Sequence, residues 1–70
     1  MMSREIERIQ YFVNNGIVKI LNTREESLKL DYKNKLIHYI EISQISLEIK
    51  KYFRFCVTNN QISDYFNHNS

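Results

Sequence analysis

Hydrophobic and polar positions change their period twice along this chain. In "SREIERIQYFVNN", Met2, Ile6, Ile9, Phe12 and Val13 recur on one stripe at helical spacing, which predicts a helix over residues 3–15. Ser3 reads as its N-cap, and Glu5 and Glu7 suit the positive end of the helix dipole. Gly16 follows where a left-handed residue commonly ends a helix, with Ile17 placed to pack back. Beyond it, "IVKIL" is short and β-branched and predicts a strand. "NTREES" reads as a polar connection. "LKLDY" alternates, with Leu28, Leu30 and Tyr32 on one side and Lys29 and Asp31 on the other. "KNK", centred on Asn34, reads as a tight turn into "LIHYIEI". That second arm places Leu36, His38, Ile40 and Ile42 on one face and Ile37, Tyr39 and Glu41 on the other, a hairpin pattern.

Helical spacing returns at residues 44–58, with Ser43 as N-cap. Ile45, Ile49, Tyr52, Phe53 and Cys56 fall within the roughly 100° stripe of a core-facing helix, and Phe55 falls outside it. The predicted order is therefore α-β-β-β-α. This is a small α+β domain spanning residues 1–70, a three-stranded antiparallel sheet packed against two helices. Residues 60–70 form a C-terminal extra turn and tail.

A chain of 70 residues buries only about 60% of the surface its unfolded form exposes, so its stability is marginal without a dense core or a partner. One cysteine, Cys56, cannot form an internal disulfide. Cys56, His38 and His68 lack zinc spacing, and no metal or cofactor is expected. A hydrophobic content of 43% with a single glycine and no proline favours the dense core. The strand from Leu36 to Ile42 is apolar on both faces, which a short chain hides by pairing with a second copy. A homodimer is expected.

The net charge of +2 is too small to imply a nucleic-acid partner. No apolar run reaches the ~18 residues of a membrane span. Charged residues at Arg4, Glu5, Glu7 and Arg8 occupy the place of a signal-peptide apolar region, so a cytoplasmic setting is expected. The richness in Ile, Asn, Lys and Tyr suits an AT-rich genome, bacterial or phage.

The segment "CVTNNQISDYF" resembles the second half of a helix-turn-helix: Val57, a capping Thr58, and Ile62 as the anchor of a following helix. The resemblance, over residues 44–66, implies a DNA-binding regulator. Lys50, Lys51 and Arg54 would contact phosphates, and Asn60 and Gln61 would face bases. The candidate reading helix carries no Arg or Lys, and Asp64 would repel the backbone.

Enzymatic groups are sparse. Cys56 lies on the apolar stripe, where a cysteine behaves as a small hydrophobe. His38 sits on the leucine face of its predicted strand as a partly buried residue. Neither arrangement provides a nucleophile with its base and orienting group, so no catalytic residue is assigned. Four hydrophobic residues remain after the helices and one sheet face are filled: Tyr11, Ile37, Tyr39 and Phe55. Tyrosines and apolar patches of this kind mark interfaces. The expected function is a small non-catalytic protein-binding module, a regulator or inhibitor that occludes a partner surface through these four residues.

Overall fold

In a computed structural model, which describes residues 2–63 (side chains from Arg4), three helices follow one another through two short connections. Helix α1 runs Met2–Leu21, α2 Glu26–Ile42 and α3 Leu47–Thr58. No strand occurs among the described residues. The domain is all-α, and the α+β architecture with its three-stranded sheet is not formed.

The error lies between Gly16 and Ile42. Gly16 does not end α1. No glycine has positive φ, and the helix continues through the predicted strand at residues 17–21. The five-residue alternation at Leu28, Leu30 and Tyr32 competes with a longer period, Tyr32–Leu36–Ile40, which puts the same stretch on a helix. On that helix Leu28 and Leu30 lie about 200° apart and both are exposed, while Leu36 and Ile40 are buried. The Asn34 turn is likewise helical, since Asn60 is the only described non-glycine residue with positive φ. The strand that looked apolar on both faces is a helix whose apolar residues are spread around it. Leu36 and Ile40 are buried within one chain, Ile37 and Tyr39 are half-buried, and His38 is exposed rather than partly buried. The ground for expecting a dimer is thereby removed.

The core is one cluster shared by all three helices. Ile9, Val13, Ile17 and Ile20 form the inner stripe of α1, continuing the predicted one past Gly16. Leu36 and Ile40 come from α2, Ile45 from the second connection, and Phe53, Cys56 and Val57 from α3. Burying each large apolar side chain contributes about 1.5–3 kcal/mol, so this stripe outweighs the cost of a glycine inside α1.

Local chemistry sets the helix ends. Thr23 Oγ1 donates to the Lys19 carbonyl at 2.7 Å, closing α1. Ser43, expected to begin the last helix, instead ends α2: its N–H and Oγ donate to the Ile40 carbonyl at 3.2 and 2.6 Å. Ser46 is the N-cap of α3, its Oγ accepting from the Ile49 N–H at 3.3 Å.

At the far end of α3, Asn60 adopts φ 56°. The Gln61 N–H donates to the Cys56 carbonyl at 2.8 Å and the Asn60 N–H to the Val57 carbonyl at 3.2 Å. That pair of bonds is a Schellman motif, with Asn60 in the left-handed position glycine usually takes. The chain then turns back toward α1, where Ser63 is fully buried. Its N–H donates to Asn14 Oδ1 at 3.0 Å and its Oγ lies 3.4 Å from Gln10 Oε1.

Candidate functional site

An open groove lies between α1 and α2. Phe12, Gly16 and Lys19 from α1 and Tyr32, Lys35, Leu36 and Tyr39 from α2 line a mostly apolar depression of about 330 Å³. Its helical logic is direct. Phe12, Gly16 and Lys19 stand at i, i+4 and i+7 on α1, and Tyr32, Lys35, Leu36 and Tyr39 at i, i+3, i+4 and i+7 on α2, so each set shares one helix face. Gly16, having no side chain, leaves room for Leu36 to close the floor.

Aromatic rings define the surface of the groove. Phe12 and Tyr39 stack across the helix pair with centroids 4.1 Å apart and planes inclined by 26°. This stack remains open to solvent, with Phe12 48% exposed. Lys19 Nζ lies 4.7 Å above the centroid of the Tyr32 ring, within cation–π range. Lys35 pairs with Asp31 one turn away at 3.1 Å. A second depression continues the groove along α1, lined by Tyr11, Phe12, Asn15, Gly16 and Lys19.

The four residues expected to bind a partner separate. Tyr11 and Tyr39 both border this continuous groove, and Tyr11 is 73% exposed. Ile37 is half-buried against the core, and Phe55 lies exposed on α3, so neither lines the groove. Phe12 escaped the sequence reading as a site residue because it was placed on the core stripe, whereas it is 48% exposed, and Lys19, Tyr32 and Lys35 because the strand and turn assignments gave them the wrong neighbours. Extending the helical period of α1 beyond Gly16 would have aligned Phe12 with Lys19.

Four of the five residues of the DNA-reading alternative, all but Lys51, are engaged within the chain. Lys50 Nζ donates to the Glu41 backbone carbonyl at 2.7 Å, and Arg54 pairs with Glu41 Oε2 at 2.6 Å. Both bind the end of α2 to α3. Thr58, expected to cap a second helix, is the last residue of α3, and residues 61–63 are not helical. Asn60 and Gln61 form the Schellman turn, and Lys51 is exposed on α3. Ile62 is 51% exposed and is not a buried anchor. The rest of the expected extra turn, with Asp64 and Phe66, lies outside the described residues.

Cys56 is buried on the inner face of α3, as its place on the stripe required. Among the described residues no three His, Cys, Asp or Glu side chains gather where a metal ion would need them. No described helix is long and apolar enough to cross a membrane. No protein-family model, curated protein or solved structure matches the chain.

Proposed function

We propose that the protein is a small non-catalytic binding module that docks a segment of a partner protein into the α1–α2 groove. It acts as a regulator or inhibitor by covering the surface that it binds. The observation that carries this reading is the open Phe12–Tyr39 stack beside exposed Tyr11. Aromatic side chains left at the surface over an apolar depression are the anchors that dominate protein interfaces.

Comparative capture from the native host tests this. The wild-type chain and a Phe12→Ser variant of equal thermal stability are used as bait. Each captured protein is then purified and titrated directly. A partner bound by wild type and released by Phe12→Ser supports the groove as the docking site. Equal binding by both variants refutes it. If the partner is a second copy of the chain, sedimentation equilibrium shows a dimer that Phe12→Ser dissociates. Captured DNA, held with a steep dependence on salt, would instead favour the nucleic-acid alternative.

A further inference from the structure

The charges at the rim of the groove specify the chemistry of its occupant. Two lysines line it, Lys19 from α1 and Lys35 from α2, and no carboxylate does. The ion pairs among the described residues are Lys29–Glu26, Lys35–Asp31 and Arg54–Glu41. Lys19 has no carboxylate partner in that set. Its ammonium is held over the Tyr32 ring, where the ring face attracts the cation while leaving other sides of the ammonium free to donate. Asp31 offsets Lys35 in part, and both side chains of that pair are more than half exposed, so solvent and an incoming group compete easily for it. The rim is therefore net positive and the floor is carbon.

We infer that the groove takes an acidic amphipathic helix: two or three apolar or aromatic anchors on one face, flanked by Asp or Glu that reach Lys19 and Lys35. This rests on the docking reading above and names its partner class. The dimensions agree. Phe12 to Lys19 spans seven residues of α1, about 10 Å, which matches anchors at i, i+4 and i+7 of a second helix. A third helix laid into the seam of a helix pair covers the Phe12–Tyr39 stack, and its acidic flank meets the ammonium groups.

Selection from a displayed library of amphipathic helices, with anchors and flanking positions randomised, tests the inference on the full chain. The selected peptides are expected to carry Asp or Glu in excess over Lys or Arg beside the anchors. A Glu→Gln version of a selected peptide is expected to bind about fivefold more weakly, the scale of two partly exposed ion pairs. The Lys19→Gln, Lys35→Gln double variant should bind both versions alike. Selected peptides that are neutral or basic, or Gln versions that bind equally well, overturn the acidic-helix inference and leave the docking reading standing. Peptides whose binding survives Phe12→Ser overturn the docking reading as well. A selection that yields no binder at micromolar concentrations overturns both.

Discussion

Gly16 and Leu36 approach so closely that a Cβ on Gly16 would stand 2.6 Å from Leu36 Cδ2 and 3.2 Å from Cδ1. Leu36 is buried and also lines the groove, so this contact sets both the spacing of α1 from α2 and the shape of the docking floor. Two effects oppose each other in Gly16→Ala. Helix propensity favours alanine by about 1 kcal/mol, and overpacking against Leu36 costs about 1–3 kcal/mol. The net result expected is destabilisation by up to about 2 kcal/mol in denaturant unfolding. In a Leu36→Ala background the clash is gone, and Gly16→Ala should stabilise by about 0.5–1 kcal/mol. Additive effects in this double-mutant cycle would refute the contact as the reason for the glycine.

Asn60 should tolerate glycine better than alanine. Its φ of 56° is left-handed, and its buried Oδ1 has no hydrogen-bond partner among the described residues. Asn60→Gly removes both the strain and the unpaired oxygen, so a gain of about 0.5–1 kcal/mol is expected. Asn60→Ala keeps the strain and loses the tolerance of asparagine for this region, and should lower the unfolding midpoint relative to Asn60→Gly. Thermal melts of the two variants that rank in the opposite order would contradict the Schellman assignment.

Asn14 should hold the returning chain. Its Oδ1 accepts from the Ser63 N–H at 3.0 Å, and Ser63 is fully buried. Asn14→Ala leaves that amide unpaired, at a cost of about 1–3 kcal/mol. The accompanying signature is local: the Ser63 amide should exchange with solvent much faster, while the core amides of Ile17 and Phe53 speed up only by the amount that global stability falls. An unchanged Ser63 exchange rate would exclude the contact in solution.

Cys56 should label slowly. It is buried on the inner face of α3 and reaches solvent only when the helix opens, so labelling reports an opening reaction rather than thiol chemistry. Cys56→Ala should cost about 1 kcal/mol, with binding unchanged because the side chain lies outside the groove. Native labelling at the rate of a free thiol would place Cys56 at the surface.

Much of α1 and α3 was legible in the order of residues. A stripe such as Ile6, Ile9 and Val13, or Ile49, Phe53 and Cys56, repeats at a spacing that only a helix puts on one face, and burial of that face follows from its carbon content, whereas Ile17 and Ile20 continue the stripe of α1 through a stretch that reads as a strand. A polar break at residues 22–27, of which 22–25 connect α1 to α2, and the burial of Cys56 were legible for the same reason, since composition and spacing are local properties. Helix α2 was not. Its apolar residues serve two neighbours, Leu36 and Ile40 facing the core and Tyr32 and Tyr39 facing the groove, while Leu28, Leu30 and Ile42 are exposed. A short alternating stretch within such a mixture fits a strand as well as a helix, and local propensity does not choose between them. Packing chose: Leu36 fits over Gly16, and Lys50 and Arg54 hold the end of α2 at Glu41, contacts between residues 9 to 20 positions apart. The groove depends on that choice. Tyr11 and Tyr39 were identifiable as surplus aromatics from spacing alone, but their alignment along one open seam, and their separation from Ile37 and Phe55, arises only when the two helices close on each other.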